Sequence, residues 1–136
     1  MSETADEGTG LVHARHFTRE EANALLPRLK EMLLQLRSSK DKLTDAEAHE
    51  ALSEAASTNG GGAVGRQVGV AFLEVRRLLA AIEESGIVLR DIDRGLVDFP
   101  AVLDDHEVYL CWELGEDDVA FWHELDSGYR GRDPLD

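Results

Sequence analysis

The stretch that decides the fold is GLVDFPAVLDDHEVYLCWELGE, residues 95–116. Apolar and polar side chains alternate on both sides of Asp104-Asp105, which is typical of two strands joined by a tight turn. A two-residue turn pairs Leu103 with His106. A one-residue shift would place Asp98 among the core side chains, so the hydrophobic pattern itself predicts this register. One face of the hairpin then carries the apolar residues Val97, Phe99, Ala101, Val108, Leu110 and Trp112.

The opposite face of the same hairpin is polar, with Asp98 beside Cys111 and with Glu113 on the same side. The placement of the next segment along the chain has two alternatives. A four-residue turn at 115–118 would put Trp122 opposite Cys111 on the polar face and would point His123 toward the core. A shift of one residue, or a helical segment, would instead bring His123 toward Asp98, Cys111 and Glu113. The sequence leaves both open.

Two long amphipathic helices precede this hairpin. Thr18 and Glu21 are spaced as a capping box, and Gly86 stands where a helix end needs a left-handed residue. Pro27 predicts a kink in the first helix, and residues 59–62, NGGG, predict its end. Apolar residues recur at steps of three and four. They are Ala22, Leu25, Leu26, Leu29, Met32, Leu33 and Leu36 in the first helix, and Val64, Val68, Ala71, Phe72, Val75, Leu78, Leu79 and Ile82 in the second.

These patterns predict a single α+β domain over residues 17–136. An antiparallel helical hairpin, 17–86, would pack on a three- or four-stranded antiparallel β-meander and C-terminal loop, 87–136. Residues 1–16 are acidic and lack an apolar period, so we expect a disordered tail there. The helices are predicted at 18–57 and 63–85. The strands are predicted at 87–92, 96–101 and 106–114, with a strand or short helix at 119–125.

The net charge and the cysteine content limit which partners the protein can bind and in which compartment we expect it. The net charge is −14, and residues 87–136 carry −10 of it without a single lysine. Such a field repels phosphate backbones and suits a cation or a basic protein, so we expect no nucleic-acid binding. The sequence has no apolar run of the roughly 20 residues needed for a membrane span and no signal-peptide pattern. The single Cys111 fits a reducing interior, and we expect a cytoplasmic protein.

Three segments concentrate aromatic and ionisable residues: GLVDFP at 95–100, YLCWELGE at 109–116 and FWHELDSGYRGR at 121–132. They hold both tryptophans, both tyrosines and the only cysteine. Our first interpretation is a non-catalytic binding module whose aromatic and acidic surface takes a small molecule or a basic protein. The candidate ligand-binding residues are Asp98, Glu113, Trp122, Tyr129, Arg130 and Arg132.

The alternative interpretation is a metal-binding protein or a metal-dependent enzyme. Asp98, Glu113 and His123 offer the mixture of oxygen and imidazole ligands that suits iron, manganese or zinc. No other cofactor is implied. Cys111 would need His123 as a base to act as a nucleophile, and a small buried side chain is the simpler reading. We therefore assign no catalytic residue and favour a protein without catalytic activity.

Two further expectations concern the partners of the C-terminal arginines and of the helix surfaces. Arg130 and Arg132 could clamp an anion, but pairing with neighbouring acids such as Asp98 or Glu113 is favoured because acids outnumber bases there. The apolar stripes of the two helices are wider than one small sheet can cover, which predicts a homodimer through the helices. The alternative is that residues 44–57 fold back over the same surface.

The chain also resembles a known family at several motifs in order. These are FTREEAN at 17–23 followed by Leu26-Pro27, and the three segments 95–100, 109–116 and 121–132. They are similar to a bacterial domain-of-unknown-function family with the signature FTxEEAN…LP, GLVDFP, YLCWxLGE and FWHxLDxGxxGR. The resemblance covers residues 17–135. It implies membership of that family but no activity, since none is assigned to it.

Overall fold

A computed structural model describes residues 11–56 and 62–136, with the side chains of all of these except 47–56 and 62–64. The chain forms two helices followed by one antiparallel sheet with strand order β1-β2-β3-β4-β5. The α+β fold with a helical hairpin is therefore confirmed. The elements are α1 (Arg19–Ala56), α2 (Gly62–Glu84), β1 (Val88–Asp91), β2 (Leu96–Leu103), β3 (His106–Glu113), β4 (Phe121–Glu124) and β5 (Asp133–Pro134).

The register predicted for the central hairpin is confirmed. Leu103 pairs with His106 and Phe99 pairs with Leu110, as the alternation requires. Asp104 and Asp105 have φ of 50° and 63°, the left-handed values that a two-residue type I′ turn needs at both positions. The apolar face of this hairpin is buried against the helices. The sheet therefore has five strands instead of the predicted three or four, and its central pair is the predicted one.

The start of α1 and the end of α2 both follow from local sequence signals. The capping box at α1 forms in both directions: Thr18 N donates to Glu21 Oε1 over 2.9 Å, and Glu21 N donates to Thr18 Oγ1 over 3.0 Å. Pro27 lies inside α1, which continues on both sides of it. Gly86, with φ of 93°, follows the end of α2. The side chains of α1 and α2 that the core buries are Ala22, Leu26, Leu29, Leu33, Leu36, Ala46, Ala71, Leu78 and Ile82.

One part of the predicted stripe on α2 lies outside the core. Phe72 is 50% exposed and Leu79 is 37% exposed, whereas Ala71, Leu78 and Ile82 on the other side of the helix are buried. The reason is that a helix packed against one layer can bury only about one side of its surface. The side chain of Val64 lies outside the described residues.

The fourth strand takes the register that is shifted by one residue. Cys111 pairs with Phe121 and Tyr109 pairs with His123, so the four-residue turn at 115–118 is wrong. Val119 does not continue the ladder, because its N–H donates to Asn23 Oδ1 on α1 over 2.7 Å and its side chain is fully buried. Trp122 consequently lies on the helix side of the sheet.

The segment before α1 packs against the sheet. Val12 N and His13 N donate to the two carboxylate oxygens of Glu107 over 2.6 and 2.9 Å, and His16 Nε2 lies 2.9 Å from the same carboxylate. Burial alone would raise the pKa of Glu107, but the hydrogen bonds from Val12, His16 and His13 outweigh it, and the pKa lies below its ordinary value. Of the tail expected at 1–16, the structure thus places 11–16 on β3, and residues 1–10 lie outside the described part.

Within the described ranges, neither helix combines the length and the apolar content needed to cross a membrane.

Candidate functional site

Three ionisable side chains meet in the interior on the side of the sheet that faces away from the helices. They are Asp98 on β2, Cys111 on β3 and His123 on β4, with 2%, 1% and 1% of their surfaces exposed. One ligand atom from each lies within 4.8 Å of the other two. Groups of this kind are expensive to bury singly, so their convergence marks this cluster as the candidate site.

The sheet register brings the three together. Asp98 and Cys111 are direct partners across β2 and β3, so their side chains share one face. His123 is the direct partner of Tyr109 on β4, which places its ring on that same face, two residues along β3 from Cys111. With the other register His123 would have pointed into the apolar core. The register of β4 therefore decides whether the cluster exists, and the bond from Val119 N to Asn23 Oδ1 ties the chain just before β4 to α1.

The hydrogen bonds of His123 define which ring nitrogen is available. Nδ1 lies 2.7 Å from the carbonyl oxygen of Glu124, which can only accept, so Nδ1 carries a proton. In a neutral ring Nε2 then presents its lone pair, and it lies 3.0 Å from Asp98 Oδ1. Two acceptors at this distance require a cation or a proton between them. A proton carried by either group, or a bound metal ion, would satisfy the pair.

Arg90 forms a hydrogen bond to the second carboxylate oxygen of Asp98. Its Nε donates to Asp98 Oδ2 over 2.8 Å, and its guanidinium lies 4.9 Å from the centre of the Tyr109 ring. Burial alone would lower the pKa of Arg90, but the bond to Asp98 and its negative charge raise it above the ordinary value. Tyr109 also packs on His123, with ring centres 5.4 Å apart. Arg90 and Tyr109 therefore cover the carboxylate and the imidazole.

Cys111 is a neutral thiol. Burial and the nearby charge of Asp98 raise its pKa to about 11, although Arg132 acts in the opposite direction. Arg132 Nη1 lies 3.7 Å from Cys111 Sγ, and its guanidinium also pairs with Glu116. A thiol with this pKa supplies almost no thiolate at neutral pH, so the environment of Cys111 does not activate it as a nucleophile.

Three of the remaining predicted ligand residues, Glu113, Tyr129 and Arg132, form a rim outside the cluster. Glu113 accepts a bond from Arg94 Nε over 2.8 Å, and this bond is the main reason that the pKa of Glu113 lies below its ordinary value. Tyr129 lies between two guanidinium groups, those of Arg94 and Arg132, each 4.4 Å from its ring centre. Arg130 is exposed. Arg132 thus fastens the C-terminal segment to the sheet through Glu116.

Two of the three predicted metal ligands, Asp98 and His123, are brought together, and the third, Glu113, is not. Cys111 takes its place. Trp122, predicted as a ligand contact, packs against the core on the opposite face. The sequence carried a signal for Cys111, since the predicted hairpin register already paired it with Asp98. It carried none for Arg90, because the irregular pairing of β1 with β2 is not visible in the alternation.

Comparisons with known proteins give a family for this chain. No curated protein and no solved structure matches the chain. A family model described as an uncharacterized conserved protein, DUF2203, matches residues 15–135 and so includes every residue of the cluster and its rim. The chain therefore belongs to the family of uncharacterized conserved proteins DUF2203.

Proposed function

We propose that this protein is a binding protein whose ligand is a divalent transition metal, held by Asp98, Cys111 and His123. The observation that carries the proposal is the direction of His123. Its Nδ1–H is fixed by a backbone carbonyl, and its Nε2 faces the carboxylate of Asp98 and the thiol of Cys111. Histidines that bind metals are oriented by such a second hydrogen bond.

The ligand types favour zinc among the metals considered from the sequence. Asp98 and His123 with Glu113 would have suited iron or manganese, which accept carboxylate-rich sets. Replacing Glu113 by the sulfur of Cys111 shifts the preference toward zinc, which takes thiolate, imidazole and carboxylate together. Around a tetrahedral zinc ion, ligand atoms lie roughly 3.3–3.8 Å apart, so the present spacing within 4.8 Å needs only small side-chain movements.

Charge balance also supports a dication in this place. A Zn²⁺ ion would replace the thiol proton of Cys111 and the proton shared by Asp98 and His123, two positive charges for two. The net charge of the buried cluster would stay the same, so Arg90 and Arg132 would keep their partners. Such an exchange avoids the penalty of adding an uncompensated charge to the interior. Three protein ligands leave one position of a tetrahedral ion for water or another small ligand.

Metal content and cobalt substitution test the proposal directly. Purified protein should contain close to one equivalent of zinc. Protein stripped with a chelator should take up one equivalent of Co²⁺ and show thiolate-to-cobalt absorption. Cys111→Ser should abolish that absorption, and Asp98→Asn should weaken metal affinity by at least about tenfold. Wild-type protein that stays folded, contains no metal and takes up neither ion would disprove metal binding.

Two further variants separate this ligand set from its competitors. Glu113→Gln should retain the metal, because Glu113 pairs with Arg94 outside the cluster. Loss of metal from this variant with retention in Cys111→Ser would restore the ligand set predicted from the sequence. Asp93→Asn is the matched control for Asp98→Asn, since Asp93 is an exposed residue whose carboxylate pairs with Lys40. Its metal content should equal that of the wild type.

A further inference from the structure

The two carboxylate oxygens of Asp98 have different partners. Oδ2 accepts a hydrogen bond from Arg90 Nε over 2.8 Å, whereas Oδ1 lies 3.0 Å from His123 Nε2 inside the cluster. A bond between a guanidinium and a carboxylate is strengthened by both charges. Because Asp98 is almost fully buried, little water can compete for Oδ2. One oxygen is therefore held outside the cluster and the other is directed into it.

Arg90 reaches Asp98 from an irregular position in the edge strand β1. Its two neighbours in the chain pair with Val97 and Leu96, which are adjacent on β2, so Arg90 is the extra residue of a β-bulge. Bulges redirect single side chains and are frequent beside functional sites. The guanidinium also lies 4.9 Å from the centre of the Tyr109 ring, which restricts its orientation. The backbone and an aromatic contact thus aim this arginine at a buried carboxylate.

Each member of the cluster has one such partner outside it. His123 Nδ1 is bonded to a backbone carbonyl, and Arg132 Nη1 lies 3.7 Å from Cys111 Sγ. Arg90 is the corresponding partner of Asp98. Outer partners of this kind orient metal ligands and tune how each of them binds.

The bond to Arg90 limits what Asp98 can offer to a metal ion. With Oδ2 engaged, Asp98 binds through Oδ1 alone. A carboxylate that gives one oxygen fits the four-coordinate geometry of zinc, for which cobalt is a common substitute. Calcium takes carboxylates through both oxygens, and manganese and magnesium favour sites rich in oxygen.

We propose that Arg90 makes this site specific for four-coordinate metal ions, because it restricts Asp98 to one oxygen. The proposal rests on the metal-binding function proposed above. Arg90 acts through Asp98 without touching the ion, so it is a positioning residue. Without Arg90, both oxygens of Asp98 are free to bind, and the preference for zinc or cobalt over manganese falls.

Competition between Co²⁺ and Mn²⁺ tests this specificity. In Arg90→Gln the ratio of the Co²⁺ affinity to the Mn²⁺ affinity should fall by about tenfold or more, the range typical for loss of an outer partner. The intense ligand-field absorption of four-coordinate cobalt should give way to the weaker bands of five- or six-coordinate cobalt. Thiolate-to-cobalt absorption should persist, because Cys111 is unchanged, and it shows that the variant still forms the site.

Arg94→Gln is the matched control. Arg94 Nε donates to Glu113 Oε2 over 2.8 Å, the same distance as in the pair of Arg90 with Asp98. The two arginine side chains are 43% and 42% exposed. The control removes an equivalent ion pair outside the cluster, so its affinity ratio and cobalt spectrum should equal those of the wild type.

The possible failures can be told apart. An unchanged ratio in Arg90→Gln, equal losses of affinity for both ions, or the same change in Arg94→Gln would overturn the role of Arg90. Five- or six-coordinate cobalt in the wild type would overturn it even if Arg90→Gln fails to fold. In all these cases the wild type still binds the ion, so metal binding itself stands. Wild-type protein that takes up neither ion overturns both proposals.

Discussion

At the scale of single residues, the molecule is held by a few buried side chains with defined partners. Trp112 is fully buried in the apolar face of the sheet, and its Nε1–H donates to the carbonyl oxygen of Glu116 over 3.1 Å. Gly95, with φ of 64°, lies where a side chain would come within 2.4 Å of Leu114. These positions tolerate little change, because a packed interior has no spare volume.

Trp112→Ala should destabilise the protein by about 3–5 kcal/mol, the usual range for deleting a large buried aromatic side chain. The loss combines the apolar surface no longer buried, the cavity left behind and the unsatisfied carbonyl of Glu116. Urea unfolding followed by circular dichroism measures it. Phe121→Ala, at a half-buried position, should have a smaller effect. A loss under about 1 kcal/mol for Trp112→Ala would be incompatible with this core.

Glu107→Gln should destabilise the protein by about 1–3 kcal/mol at neutral pH, because the amide nitrogen that replaces one carboxylate oxygen cannot accept that oxygen's bonds, either the one from Val12 or those from His13 and His16. The pKa of Glu107 is lowered on folding. Its charge therefore stabilises the fold fully above the ordinary pKa of 4.5, and the contribution is lost as pH falls through the lower folded value. Unfolding free energies measured against pH should show the variant and wild type converging in acid. A difference that persists unchanged there would refute this role.

At the scale of elements, the hairpin of β2 and β3 is the best-determined unit and also contains a strained turn. Both central residues of the turn, Asp104 and Asp105, have left-handed backbone conformations that aspartate adopts less readily than asparagine or glycine. The alternation of the flanking strands overrides this preference. The turn is therefore locally strained, and burial of the apolar face of the hairpin outweighs that strain.

Replacing Asp104-Asp105 with Asn-Gly should stabilise the protein by up to about 1 kcal/mol, since this pair is the preferred sequence for a type I′ turn. The greater freedom of glycine in the unfolded chain offsets part of the gain. Chemical denaturation with unchanged m-value is the measurement. Replacing Asp117-Asp118 in the same way serves as a control for the loss of two charges and the added freedom of a glycine, since neither residue has a positive φ. Destabilisation of the first variant would show that the turn has another conformation.

At the scale of the whole molecule, the two faces of the sheet perform different tasks. The face under α1 and α2 holds the apolar core, and the other face holds the buried cluster of Asp98, Cys111 and His123. On this second face, the segment before α1 is hydrogen-bonded to Glu107, and Arg132 forms an ion pair with Glu116. The segment before α1 and the segment around Arg132 thus both pack on the side that carries the proposed metal site.

Zinc at 100 times its dissociation constant should therefore stabilise the whole fold by about 2.7 kcal/mol, because a ligand that binds only the folded state shifts the unfolding equilibrium. Thermal unfolding of chelator-treated protein with and without added zinc measures the effect. Magnesium, which prefers oxygen ligands alone, should give no comparable increase. Equal melting temperatures for wild type and Cys111→Ser under zinc would contradict the link between the site and the fold.

The register of one strand pair could be predicted from the sequence, and the register of the next pair could not. The pairing of β2 with β3 was predictable to the residue, because strict alternation and a two-residue turn leave one register with a wholly apolar face. The pairing of β3 with β4 was not. The chain just before β4 is tied to α1 by the bond from Val119 N to Asn23 Oδ1, a contact across 96 residues of sequence that no local pattern predicts.

The sequence by itself determined the helical hairpin, the central strand register and the pairing of Asp98 with Cys111. Each of these follows from short-range periodicity and turn chemistry. Only the tertiary structure decided that His123 joins that pair, that Glu113 is held away by Arg94, and that Phe72 and Leu79 face outward. These outcomes depend on how separate elements pack, and packing is settled by contacts between residues far apart in the chain.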